Sequence, residues 1–281
     1  MARSFGTYST SMVPNAVRGL LIANVVVYLI QQIFDSTPVL VLGGMYPAIT
    51  GYFGLIPAAF WHGYVWQVVS YMFLHGGFFH ILFNMFVLWM FGRTLETIWG
   101  PKKFLKYYFI CGIGAGLLNS VLTPTSPIPI IGASGAIYGL LLAFGVLFPN
   151  QPIYLYFLFP IKAKYFVIGL VVIEFFSGFN PNSPVAHFAH LGGMLFGFVY
   201  LQWPKWKYKL KRAQGDQQRK QHLKVVYRRE DEVRKLQKEV DDLLDKINQS
   251  GLDALTASDK KHLEEASRKL RDWEKQGGSR S

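Results

Sequence analysis

The sequence predicts an all-α, polytopic membrane protein of six helical spans followed by a small helical soluble tail. Three observations predict it. Only 16% of the 281 residues are charged and 51% are hydrophobic, against roughly 25% charged in an ordinary soluble domain. The charge is unevenly placed: Met1 to Tyr200 holds 8 Lys/Arg and 3 Asp/Glu, whereas Leu201 to Ser281 holds 21 and 14. Finally, the charge-poor part divides into apolar stretches of the length that crosses a bilayer, about 17–25 residues at 1.5 Å each. A membrane domain over 1–203 and a basic cytoplasmic tail over 204–281 follow.

The six stretches are Val17–Phe34, Gly76–Phe91, Phe104–Leu122, Ala133–Phe148, Lys164–Ser177 with the apolar residues before it, and Val185–Trp203. The first follows a polar, slightly basic segment with Arg3 and Arg18 and has no small-residue cleavage site after it, so it reads as a retained span rather than a signal peptide. Before the fifth, Pro149, Pro152 and Pro160 interrupt the chain. That approach reads as an interfacial hairpin or an extended stretch, with a seventh span left open should Ile153–Phe159 dip deeply. The segment from Asp35 to His75 is rich in Gly, Pro and aromatics and reads as a loop packed at the interface.

Lys and Arg set the orientation. Arg93, Lys102, Lys103 and Lys106 lie between spans two and three, Lys162 and Lys164 between spans four and five, and Lys205, Lys207 and Lys209 after span six. The connections Asp35–His75, Thr123–Gly132 and Gly178–Pro184 contain neither. Basic segments on alternate connections fit six spans with both termini in the cytoplasm and argue against a seventh. The net charge of +12 therefore reads as topology and contact with anionic lipid rather than nucleic-acid binding. The single cysteine, Cys111, excludes an internal disulfide framework.

Polar side chains at membrane depth are costly and point to function. His80 and Asn84 in span two, Ser134 in span four and His190 in span six fall at one level, near the outer face. Ser134 lies in Gly132-Ala133-Ser134-Gly135, after a proline-rich loop. A serine at a helix N-terminus faces unpaired backbone N–H groups that can hold an oxyanion, and the flanking glycines allow close approach. Its hydroxyl needs an adjacent base, for which His190 is the candidate. His80 and Asn84, at i and i+4 on one helix face, can donate to the same oxyanion. No carboxylate accompanies them on these three spans, so the expected arrangement is a dyad. Each feature also has a plainer reading. Gly-x-Ser-Gly, Gly112-x-Gly114-x-Gly116, Gly135-x-x-x-Gly139 and Gly193-x-x-x-Gly197 all suit helix packing.

The segments His75-Gly76-Gly77-Phe78-Phe79-His80-Ile81-Leu82-Phe83-Asn84-Met85, Gly132-Ala133-Ser134-Gly135-Ala136-Ile137-Tyr138 and Ala189-His190-Leu191-Gly192-Gly193 with Gly197 resemble the signature segments of rhomboid intramembrane serine proteases. They occur in the family's order on spans two, four and six, and the resemblance covers roughly Val17 to Trp203. It implies a bacterial-type, six-span rhomboid bundle in the inner (plasma) membrane that cleaves membrane-spanning segments of other proteins near the outer face. Ser134 would be the nucleophile and His190 the base, with His80, Asn84 and the Ser134 backbone N–H stabilising the oxyanion. Tyr138 would pack on the His190 ring, and Gly193 and Gly197 would bring span six close to span four. His187, one turn outward, is the rival base, set aside because the glycines at +3 and +7 match His190. His75 would either support these residues from behind or lie at the membrane interface. Many rhomboids carry Trp-Arg in the first loop; this chain has Trp66-Gln67.

The alternative is a non-catalytic membrane adaptor or chaperone on the same fold. No cofactor or metal is expected: His75, His80, His187 and His190 can cluster, but no carboxylate or thiolate joins them and no HExxH occurs. Glu174, near the outer end of span five, reads as a snorkelling carboxylate. The expected partners are transmembrane substrates and the lipid bilayer. In the tail, Val233, Leu236, Val240, Leu243 and Ile247 mark an amphipathic helix, Ser250-Gly251 a stop, and Leu263, Ala266 and Leu270 a second helix capped by Thr256 or Ser258. The pair reads as a helical hairpin, open to self-association or partner binding.

Overall fold

A computed structural model describes residues 13–155, 158–180, 183 and 185–277. Arg3 and residues 156 and 157 of the proline-interrupted approach lie outside the described residues. The fold is predominantly helical. The chain separates into two compact units, one up to Pro204 and one from Lys205 onward.

In the first unit the predicted spans become α1 (Asn15–Phe34), α5 (Phe78–Trp99), α6 (Pro101–Leu122), α7 (Ser134–Leu147), α8 (Ala163–Ser177) and the beginning of α9 (His187–Ser250). Among the described residues, α1, α5 and α6 are long and apolar enough to cross a bilayer, and α7 is a shorter apolar helix. Their surfaces suit lipid rather than water. On α1, Ile22, Leu29 and Ile33 are exposed while Asn24 and Gln31 are buried. A soluble helix would turn those faces the other way. The core between the helices is built on Tyr71, Phe104, Tyr107, Tyr108 and Leu140.

The start of α1 shows how an apolar environment forces polar groups to find one another. Pro14 precedes the helix and offers no side-chain cap. The backbone N–H groups of Ala16 and Val17 instead donate to the two carboxylate oxygens of Glu96, at 2.9 and 2.8 Å. A carboxylate at a helix N-terminus satisfies orphan donors and complements the helix dipole. Glu96 comes from α5, so the cap also ties two helices together.

The segment between α1 and α5 is folded to a greater degree than a packed loop. It contains the hairpin β1 (Pro38–Val41) and β2 (Gly44–Pro47), then α2 (Ala48–Phe53), α3 (Pro57–Trp61), α4 (Gln67–Ser70) and a 3-10 turn at Tyr71–Phe73. Buried amides hold it. Gln67 is 0% exposed; its Oε1 accepts from the Ile56 N–H at 3.0 Å and its Nε2 donates to the Gly51 carbonyl at 3.2 Å. Glutamine at this Trp-Gln pair thus secures the segment through neutral hydrogen bonds, with no buried charge to compensate.

The approach to α8 is a two-stranded antiparallel hairpin, β3 (Pro152–Leu155) with β4 (Phe159–Lys162). Strands of four residues are too short to cross a bilayer, for which about 9–11 are needed. Of the two readings of this approach, the hairpin is the one observed.

α9 runs on from the first unit, with Pro204 inside it, to Ser250 in the second. Gly251, at φ +80°, ends it with the left-handed backbone that glycine tolerates best. The second helix, α10, spans Ala257–Gly277. Its cap is Thr256 rather than Ser258. The Thr256 Oγ1 accepts from the Asp259 N–H and Asp259 Oδ2 accepts from the Thr256 N–H, both at 3.1 Å, a reciprocal capping box. Lys246 with Asp259 and Glu239 with His262 bridge the two helices, around the buried side chains of Val233, Leu255 and Ala266.

Candidate functional site

The loop before Ser134 is pinned by the folded segment ahead of α5. Leu55 and Ile130 exchange two backbone hydrogen bonds, at 2.9 and 2.8 Å, and the Gly132 N–H donates to the Tyr71 carbonyl at 2.9 Å. Tyr71 is in turn anchored by its hydroxyl to the Gly112 carbonyl at 2.7 Å. Gly132 takes φ +128°, a conformation costly for any residue with a Cβ. There is also no room for one. A Cβ at Gly132 would stand 2.8 Å from His80 Nε2 and 3.6 Å from Ser134 Oγ. Ser134 is the first residue of α7, and Ala133, which precedes it, supplies no side-chain cap. The N–H groups of the first turn are left facing the site.

α7 has 14 residues, about 21 Å of helix at 1.5 Å per residue, less than the ~30 Å of a bilayer's hydrocarbon. A helix this short begins below the membrane surface when its other end reaches the opposite face.

His190 Nε2 lies 2.9 Å from Ser134 Oγ, joining side chains 56 positions apart. The Tyr138 ring stacks on the imidazole, with centroids 4.1 Å apart and planes within 6°. The close seam between α7 and α9 depends on Gly193, where a Cβ would fall 1.8 Å from the Gly135 carbonyl oxygen. Gly197 departs from expectation. A Cβ there would meet Tyr107 and Cys111 of α6, at 2.4 and 3.1 Å, so it fits α9 to α6 rather than to α7. The Tyr107 hydroxyl relays that contact, donating to the Gly139 carbonyl of α7 at 2.8 Å.

His80, Asn84, Ser134, His187 and His190 border one cavity of about 890 Å³. Its lining mixes these polar groups with apolar walls, as ligand sites generally do. His80 Nδ1 accepts from the Gly76 N–H at 3.2 Å, which leaves Nε2 as the protonated nitrogen, beside Gly132 and Ser134. Asn84 is buried, and its Nδ2 has no hydrogen-bond partner among the described residues. Both groups are donors in waiting. His75 is fully buried behind them, its ring edge-on to His80 at 5.1 Å. Burial, reinforced by the neighbouring His80, pushes His75 down to about 4 from the ordinary histidine value, so it is neutral at pH 7 and adds no charge behind the site.

Two expectations are overturned on the other flank. A carboxylate does join the histidines His187 and His190, from α8 rather than from the three spans that carry the polar level, and it does not snorkel: Glu174 of α8 is only 5% exposed. The Tyr138 hydroxyl donates to its Oε1. Its Oε2 lies 2.6 Å from His187 Nδ1 and 3.1 Å from His190 Nδ1. His187 is engaged with Glu174 and, through Nε2 at 2.8 Å, with the Ser183 hydroxyl, while His190 holds Ser134. The missed signal was an acidic residue inside an apolar helix, which is rarely left unpartnered.

Glu174, His187 and His190 place one ligand atom each within 4.8 Å of one another, a donor set suited to zinc. The 2.6 Å separation of His187 Nδ1 and Glu174 Oε2 is a proton-sharing distance. Two atoms bound to one tetrahedral zinc at about 2.0–2.1 Å would stand about 3.3 Å apart.

Residues 62–204 match the Rhomboid domain family model, and residues 229–269 match a family of unknown function, DUF6576. RHOMBOID-like protein 5 of Arabidopsis thaliana is 34% identical over 148 residues, covering 51% of this chain and 46% of the relative. Rhomboid protein 1, mitochondrial, of Saccharomyces cerevisiae is 31% identical over 140 residues, 48% of this chain and 40% of the relative. Rhomboid protease GluP of Bacillus subtilis is 34% identical over 134 residues, 47% of this chain and 25% of the relative. The matched regions thus cover less than half the length of these three curated relatives. The rhomboid model covers half of the chain, on the helices and loops that build the cavity, and the chain belongs to the rhomboid family of multi-pass membrane proteins.

Proposed function

We propose that the protein is an intramembrane serine endopeptidase, with Ser134 as nucleophile and His190 as general base. The observation that carries the reading is the 2.9 Å contact between Ser134 Oγ and His190 Nε2 at a cavity wide enough to admit a stretch of peptide. In the reaction, Ser134 Oγ attacks a substrate carbonyl as His190 Nε2 takes its proton. Negative charge then grows on the carbonyl oxygen, where the Ser134 N–H, His80 Nε2–H and Asn84 Nδ2–H groups can converge. His190 returns the proton to the leaving amine, and water resolves the acyl-enzyme by the same steps reversed.

The substrates are membrane-spanning segments. A peptide bond within an intact helix is shielded and hydrogen-bonded, so cleavage favours small or helix-breaking residues that let the end of the segment unwind. The alternating basic connections support six crossings, both termini in the cytoplasm and a site nearer the outer face. Lateral entry past α8 fits the position of that helix beside the cavity.

The test is cleavage of a model single-span substrate together with labelling by a fluorophosphonate probe. Cleavage and labelling that both require Ser134 and His190 are the expected result. Substrate binding without either would make the protein a helix-binding adaptor, and cleavage retained by Ser134→Ala would reject the serine.

A further inference from the structure

For His190 Nε2 to accept the Ser134 proton, a neutral ring must carry its own proton on Nδ1. That nitrogen is buried and has no hydrogen-bond partner among the described residues, in a residue 8% exposed. A buried N–H without an acceptor is costly, and the opposite tautomer would place a proton on Nε2 and disable the base. One oxygen stands in reach, Glu174 Oε2 at 3.1 Å, close enough for an ion pair though short of hydrogen-bond alignment. The carboxylate is fixed from two further sides by the Tyr138 hydroxyl and His187 Nδ1. Tyr138 also lies flat on the His190 ring, so the group that orients the imidazole plane is held by the same carboxylate.

We infer that Glu174 is a positioning residue for the reaction. It keeps His190 in the tautomer whose Nε2 is free to accept, and it stabilises the imidazolium formed when Ser134 gives up its proton. The working arrangement is then a serine, a histidine and a glutamate drawn from α7, α9 and α8. A small rotation of the His190 ring toward Glu174 completes the hydrogen bond as positive charge appears on it. The carboxylate remains ionised and moves no proton of its own, so the chemistry balances as it does with two residues. This inference rests on the assignment of Ser134 and His190 above.

The experiment compares the full-length wild type with Glu174→Gln and Glu174→Asp, reading kcat and KM on a single-span substrate, the fluorophosphonate labelling rate and the thermal unfolding midpoint. Glutamine retains the shape and an acceptor for Tyr138 but removes the charge. Expected are a fall in kcat and labelling rate of about 10²-fold or more in Glu174→Gln, KM within about twofold because substrate contacts are untouched, and partial recovery in Glu174→Asp. Wild-type labelling in Glu174→Gln, with the wild type labelled at Ser134, would overturn the inference alone. So would rate losses in both variants matched by falls in the unfolding midpoint, which would make Glu174 a structural clamp between helices. Absence of Ser134-dependent labelling in the wild type would overturn the proposed function, and this inference with it.

Discussion

Charged and polar groups do opposite work in the two units. In the first, Glu96 and Glu174 are buried and each oxygen is committed, to the first turn of α1 in one case and to Tyr138 and His187 in the other. In the second, Glu239 and Asp259 lie at the surface, and their pairs join helices already aligned by an apolar stripe. The difference is one of solvent. Where lipid replaces water, an unpaired polar group costs several kcal/mol, so pairing dictates geometry. In water the same pair is worth about 0–1 kcal/mol and follows the geometry set by other contacts. Substitutions in the first unit should therefore be severe and functional, and those in the second mild and local.

The comparison is broken most directly at the Ser–His pair. Ser134→Ala and His190→Ala should each reduce cleavage by about 10³-fold or more, with expression and unfolding midpoint retained, as read on a single-span substrate. Next come the donors across the cavity: His80→Ala and Asn84→Ala should each lower kcat by about 10²–10³, with smaller changes in KM. Wild-type kcat in both would leave the oxyanion to the backbone alone. Third, Gly193→Ala should destabilise the first unit by about 1–3 kcal/mol through overpacking, seen as a lower unfolding midpoint, because its Cβ would collide with the Gly135 carbonyl.

The smallest effects are expected in the tail. Thr256→Ala should cost about 1 kcal/mol of local helix stability, measured as faster hydrogen exchange at the start of α10, with cleavage unchanged. Asp259 sharpens the same point through pH. Its interaction with Lys246, helped by the Thr256 cap, holds its carboxyl below the usual aspartate range. A group depressed in the folded state lends stability that is complete above its unfolded value and is lost as pH falls through the folded one. Exchange at α10 should therefore quicken as the medium is taken below about pH 4. A tail substitution that abolished cleavage would erase the contrast between the units.

The sequence by itself determined the long helices of the first unit, the stripe and stop of the tail hairpin, and the four polar positions that border the cavity. Each is a local signal: length of apolar run, period of a stripe, a glycine after a helix, or a polar residue where only apolar ones are cheap. What such signals miss is adjacency. Nothing along α8 tells which helices its C-terminal end packs against, so Glu174 read as an isolated carboxylate until the fold set it beside Tyr138, His187 and His190. The same limit applies to Gly197, whose spacing from Gly193 is visible in the chain although its neighbour on α6 is not, and to Gln67, whose buried partners lie in a segment with no repeating pattern. Only the tertiary structure decided these, because a hydrogen bond or a close backbone approach is a property of two segments at once, and period and hydropathy describe one segment at a time.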